Sequence, residues 1–240
     1  MEKEKSRLQQ YSAIYEEEIA YGAEEKINLL NANFALDRIT GPVIELGCGN
    51  GTWTKLLVEK FENLIVVDAS RVLLEKIKKK FGVKAICNES LFEEFNPKTQ
   101  NYSTVLLIGA LHHSKNPMQI LENISNWIHP NAKLIVSVPN AGSIHRRLGT
   151  KMGIINNAEE ISKLGIRQGH ERTYTIDLFK EQLIDAGFSI DYFKGLFLKP
   201  FSNSQMDLMD NKIFSGLFKL ADELPDELAA TLYAECSKKN

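Results

Sequence analysis

Cysteine is scarce in this chain: Cys48, Cys87 and Cys236 are the three in 240 residues, odd in number and without CxxC spacing. Such usage excludes a disulfide framework and a thiolate zinc site, and it predicts free thiols and a cytoplasmic protein. An excess of one charge is also missing. The formal net charge is −2 and the pI about 6.2, so no global basic field favours non-specific binding to nucleic acid. Nowhere do about 18 apolar residues run together to span a bilayer. The opening residues, MEKEKSRLQQYSAIYEEE, hold no apolar stretch of the signal-peptide kind. Repeats and low-complexity segments are lacking as well.

What is present is enough apolar sequence, 43% hydrophobic residues, to bury one full core. From Ser6 to about Arg38 apolar residues recur at helical spacing, predicting two helices ahead of the main domain. Tyr11 and Tyr15 share a face of the first, either packed on the domain or serving as an aromatic lid. Beyond Gly41-Pro42, short apolar runs alternate with amphipathic stretches: PVIELG, WTKLLVEKF, LIVVDA, VLLEKIKKKF, VKAICN, TVLLIG, MQILENISNWI and KLIVSVPN. Strands that are apolar on both faces and alternate with helices predict a doubly wound, Rossmann-like α/β sheet. After Asn140 the rhythm lapses into a basic, glycine-punctuated stretch too long for an ordinary connection. A helix then runs from an N-cap at Thr175 to a stop at Gly187. FSIDYFKGLFLKPF reads as a closing pair of strands, and the last thirty or so residues read as helical.

The sequence VIELGCGNGTWTKLL is a strand, a turn holding Gly47, Gly49 and Gly51, and a helix. Glycines let a ligand approach backbone closely, and the helix that follows offers unpaired N–H groups. A dinucleotide fingerprint needs G-x-G-x-x-G/A, but Thr52 stands at the last position and the acidic Glu45 closes the strand. A carboxylate there suits a ligand with an ammonium group better than a pyrophosphate. Asp68 ends the next strand about twenty residues later, as a ribose-binding carboxylate does, and Ser70 is available to cap the following helix in its place.

The pattern Glu45-x-Gly47-x-Gly49-x-Gly51 followed by Asp68 resembles motif I and the acidic second motif of the class I S-adenosylmethionine (SAM)-dependent methyltransferases. The resemblance covers residues 41–140 well and the strands after Phe188 moderately. It implies a seven-stranded sheet whose last pair includes an antiparallel strand, SAM as cofactor, and no metal. It also implies cofactor contacts at Glu45, Gly47, Gly49, Gly51, Asp68, Ala69 and Ile108, with Glu89 and Ser90 in AICNESLFEEF beside the adenine. The 240 residues then form a single methyltransferase domain. Residues 1–40 are a helical lid, 41–140 the SAM-binding core, 141–175 an acceptor-binding insertion and 176–240 the closing elements.

His112 and His113 follow the fourth strand in GALHHSKNP, beside the reactive methyl in such a fold. Neighbours at a strand end point to opposite sides and lack ligand spacing, which argues against a metal pair and for one general base and one loop fastener. In the insertion, His145, Arg146, Arg147, His170 and Arg172, with Tyr174 at its end, are candidates to hold an anionic acceptor. From its closing pattern, GHERTYTIDLFKEQLIDAGF, the chain resembles small-molecule and saccharide methyltransferases. The expected reaction is O-methylation of a sugar, nucleotide-linked or phosphorylated precursor of cell-surface polysaccharide. N-methylation of an amino sugar or another small amine, RNA methylation and a non-catalytic SAM-binding domain are the alternatives.

Overall fold

The computed structural model describes Arg7 and residues 22–98 and 101–239. The first of the two expected N-terminal helices, with Tyr11 and Tyr15, falls outside these residues. The second is α1 (Ala23–Leu36). After it come β1 (Val43–Leu46), α2 (Thr52–Lys60), β2 (Leu64–Asp68), α3 (Arg71–Phe81), β3 (Ala85–Glu89) and β4 (Thr104–Ile108). A short 3-10 turn over Leu111–His113 leads into α4 (Pro117–Trp127) and β5 (Lys133–Pro139). The insertion carries α5 (Ile144–Lys151) and α6 (Lys163–Arg167). Then come α7 (Ile176–Asp185), β6 (Phe188–Leu196), α8 (Asn203–Met206), α9 (Asn211–Leu220) and β7 (Thr231–Lys238).

The seven strands form one sheet in the order β3-β2-β1-β4-β5-β7-β6. The first five are parallel, and β7 runs antiparallel between β5 and β6. Both faces are covered. Ile44, Leu46, Leu134 and Val136 point into one core with Ile120 and Ile124 of α4 and Phe179 and Leu183 of α7. Val43, Val66 and Ile135 point to the other, against Leu57 of α2 and Leu73 and Ile77 of α3. Burial on two sides is why these strands read as continuous apolar runs. Strand order reverses between β1 and β4, so their C-terminal ends open a crevice, the place where α/β sheets bind ligands.

Capping residues do what their chemistry predicts. The side chains of Ser70, Asn116 and Thr175 accept hydrogen bonds from the first turns of α3, α4 and α7. Gly187 takes φ +87° just beyond α7, the left-handed stop that glycine allows.

Two expectations for the C-terminal part are corrected. FSIDYFKGLFLKPF supplies one strand, not two. Phe197 has φ +61°, which ends β6 at Leu196. The true partner of β6 is β7, in TLYAECSK, which the sequence reading took as helical. Its Ala, Leu and Glu residues favour helix, but Leu232, Ala234 and Cys236 alternate into one core while Tyr233 enters the other. Pairing on both sides of β7 outweighs local propensity. The helical expectation there is met by α9 and by short 3-10 turns over Ala221–Glu223 and Asp226–Leu228.

Candidate functional site

The glycine turn is shaped by backbone demands. Gly47, Gly49 and Gly51 have φ of +90°, +49° and +83°, a region costly for residues with a Cβ. At Gly51 a Cβ would also stand 2.8 Å from Ile77 Cδ1. Helix α1 braces this turn, because Glu25 accepts hydrogen bonds from Asn50 Nδ2 at 2.6 Å and from Thr52 Oγ1 at 2.7 Å. Asp68 braces it from the other side. Its Oδ2 accepts the Cys48 N–H at 3.1 Å and its Oδ1 the Ser70 N–H at 2.8 Å.

A cavity opens above β1, β2 and β4, and Gly47, Gly49, Asp68, Ala69, Ile108 and His113 all line it. Of the expected cofactor residues, Glu45 lines only a larger adjoining cavity, and Gly51 lines neither and shapes the turn instead. Glu89 is exposed beyond the rim. Ser90 turns its hydroxyl to the Leu91 carbonyl and its N–H to Asp68 O. The wall expected from those two is built by Leu91, Phe92 and Glu93, one turn further on. Leu91 and Phe92 are apolar and carry no motif, so nothing in the sequence marks them.

Glu45 is buried beside the glycine turn, 2% exposed. Thr54 Oγ1 donates to its Oε2 at 2.8 Å, while its Oε1 has no hydrogen-bond partner. Burial pushes its pKa up to about 8, Thr54 opposes the shift, and Asp68 adds to it. A buried carboxylate oxygen without a partner is costly unless a cation meets it. The ammonium group of SAM is such a cation, and Asp68 lines the cavity as an acceptor for ribose hydroxyls, which would compete with its weak contact from Cys48 Sγ at 3.5 Å. The residues present therefore fit this cofactor: Glu45 would hold the amino-acid end, Asp68 the ribose, and Leu91 and Phe92 the ring.

A second, larger cavity adjoins the first, sharing Gly47, Gly49, Ile108, Gly109, His113 and Gln168 with it. Here the histidines depart from expectation. They belong to a 3-10 turn, not a strand end, so they do not alternate. Their ring centroids are 4.1 Å apart, and His170 from the insertion stands 4.3 Å from His112 and 4.9 Å from His113. The insertion is tied to this turn by backbone and charge. Glu171 N–H donates to His112 O at 3.0 Å, and Arg172 donates to the Ser114 and Lys115 carbonyls at 3.0 and 2.8 Å. Arg7 donates to His113 O at 3.1 Å and pairs with Glu171. Burial lowers all three histidine pKa values, His113 to about 4 and His170 to about 3, so each is neutral at pH 7.

The same cavity is also lined by His145, Arg146 and Lys199. His145 Nδ1 is buried without a partner. Lys199, which no sequence motif flagged, donates to Asn203 Oδ1 and has its pKa lowered by burial, against the pull of Glu24 and Asp207. The arginines are more committed than the sequence suggested. Arg146 donates to the carbonyls of Ala158 and Glu160, and Arg147 to Gly142 O and Glu227. Tyr174 lies outside the cavity lining, its ring wholly buried in the core and its hydroxyl on Gln182 at 2.9 Å.

With this geometry in view, comparison with known proteins is informative. A methyltransferase domain family model matches residues 15–192. Among curated relatives, the mitochondrial ubiquinone biosynthesis O-methyltransferase of Schizosaccharomyces pombe is 22% identical over 182 residues, 73% of this chain and 64% of that protein. The chain spans 52% to 65% of the length of the curated relatives it matches. A Burkholderia thailandensis 1,6-didemethyltoxoflavin-N1-methyltransferase, solved with its substrate and S-adenosylhomocysteine (SAH), superposes with a TM-score of 0.58. It is 14% identical, with 90% of this chain and 79% of that one covered. The plantazolicin methyltransferase BamL, also solved with SAH, gives 0.60 at 17% identity, with 100% and 97% covered. At those identities the structural likeness bears on the fold alone, whereas the family model covers most of the chain. The chain belongs to the methyltransferase domain family, and it shares its fold with these SAH-bound methyltransferases.

Proposed function

We propose that this enzyme methylates an oxygen of a small, polar, anionic metabolite. A sugar, nucleotide-linked or phosphorylated precursor of cell-surface polysaccharide fits this description, and a cytoplasmic setting belongs to the same reading. The observation that carries it is the second cavity, which is lined by three neutral imidazoles beside the cofactor pocket and by Lys199, Arg146 and His145. A sugar hydroxyl at the imidazoles and a phosphate or carboxylate at the cations would use both. Two relatives named as O-methyltransferases, of ubiquinone biosynthesis and of malonyl-[acyl-carrier protein], lend support to oxygen.

The cofactor supplies an activated methyl on sulfonium. The protein's task is to hold the acceptor oxygen about 3 Å from that carbon and in line with the sulfur. As the new O–C bond forms, the C–S pair stays on sulfur and the hydroxyl proton departs. His112 and His113 ease that departure. An amine acceptor would need no such help, which separates O- from N-methylation. RNA is disfavoured by the net charge of −2 and by arginines already bonded to protein carbonyls.

The test is methyl transfer from labelled SAM to a panel of sugar phosphates, nucleotide sugars, amino sugars and RNA, read by mass spectrometry. The proposal expects label on an oxygen of an anionic saccharide. Label on RNA, or on amines alone, would replace it.

A further inference from the structure

His112, His113 and His170 each offer a ring nitrogen, and these atoms all lie within 4.8 Å of one another. Three imidazoles that share one ion tetrahedrally through nitrogens about 2.1 Å from it would have centroids roughly 5.3 Å apart. The observed separations are 4.1, 4.3 and 4.9 Å, so the rings would have to part by about 0.4–1.2 Å to take up an ion. His112 is 4% exposed and its Nδ1 has no hydrogen-bond partner, a buried donor or acceptor that calls for one.

We propose that His112, His113 and His170 form a site for one divalent transition-metal ion of the zinc class, its open coordination position facing the acceptor cavity. Three histidines with an open position make the catalytic type of zinc site, not the closed structural type. The nearby cations are already engaged. Arg7 is paired with Glu171, and Arg146 lies on two backbone carbonyls, which tempers their repulsion of an ion. His113 lines both cavities while His112 and His170 line the acceptor one, so the ion would sit where methyl and acceptor meet. The inference rests on reading the second cavity as the acceptor site. It supplies the means by which the histidines ease proton loss: the ion binds the hydroxyl oxygen and lowers its proton affinity.

The experiment uses the full chain, stripped with a chelator and desalted. It is titrated with Zn²⁺ by calorimetry and with Co²⁺ by visible absorption, and a parallel sample is titrated with SAH. The proposal expects one equivalent of each metal and a nitrogen-ligated Co²⁺ spectrum without a thiolate band. His112→Gln and His170→Asn should each lose at least tenfold in affinity, and His129→Gln none. His170 is the less buried of the two, so His170→Asn keeps the test alive if His112→Gln fails to fold. Absence of saturable binding, a thiolate band, or unchanged affinity in His170→Asn overturns the site. If SAH binds while the metals do not, the metal inference alone falls. If SAH fails to bind, the reading of the cavities falls with it.

Discussion

The ring of His170 meets that of His112 edge-on, their centroids 4.3 Å apart and their planes at 82°, although one residue follows β4 and the other comes from the insertion after β5. What brings them together is a close approach at Gly165 of α6. A Cβ at Gly165 would stand 3.1 Å from His170 Nδ1 and 3.2 Å from Ile161 Cγ2. Gly165→Ala should therefore displace the imidazole without disturbing the cofactor pocket. The imidazole has to give by a few tenths of an ångström, so we expect kcat to fall roughly severalfold, less than the loss a displacement of about 1 Å brings, with SAH affinity by calorimetry unchanged. Unchanged kcat would mean that His170 has no part in turnover.

Glu45 predicts a pH dependence with a definite sign. Its pKa is raised to about 8 in the free protein from an ordinary value of 4.5, so between these limits the folded state holds a proton that the unfolded state has lost. Stability of the free protein should fall as pH rises through that window, and Glu45→Gln should remove that component. Pairing with an ammonium group requires the carboxylate. SAH affinity should thus climb with pH by up to about tenfold per unit and level off near pH 8. Calorimetry from pH 6 to 9 checks this, since Glu45→Gln should bind more weakly and lose the Glu45 part of the slope.

Asp68→Ala should weaken SAM binding by about 1–3 kcal/mol through lost ribose hydrogen bonds. It also releases the Cys48 and Ser70 N–H groups, so the melting temperature should fall as well. Gly49→Val should weaken binding further, because Gly49 has φ +49° and lines both cavities. Normal binding in both variants would remove the cofactor assignment.

In the acceptor cavity, Lys199→Met and His145→Ala should raise the acceptor KM about tenfold or more, a loss on the order of 1.4 kcal/mol of binding, with SAH affinity intact. Arg172→Glu should act differently. Arg172 holds the Ser114 and Lys115 carbonyls, so its reversal should loosen the histidine turn and lower kcat. Steady-state kinetics with any accepted substrate separates the two patterns.

Legibility in the sequence followed physical cause. The parallel core was readable because strands buried on two faces must be apolar throughout. Gly47, Gly49, Glu45 and Asp68 stood out because a left-handed turn or a buried charge tolerates few residue types. The 3-10 turn was not readable. LHH is too short to show a period, and the grouping of His112 with His170 is a tertiary event fixed by Gly165 and Arg172. Strand β7 was hidden by helix-forming composition, and Lys199 by lying in a stretch read as strand. The insertion's Arg146, Arg147 and Arg172 read as ligands for an anionic acceptor, whereas they bond backbone carbonyls, which no side-chain pattern announces.

The central claim is that the crevice above β1 and β4 holds SAM, with Glu45 at the amino-acid end and Asp68 at the ribose. A crystal structure with SAH tests it most directly. The account predicts the ammonium group within hydrogen-bond distance of Glu45 Oε1 and the ribose hydroxyls on Asp68. SAH bound elsewhere, or bound there with Glu45 Oε1 still unpaired, would contradict it.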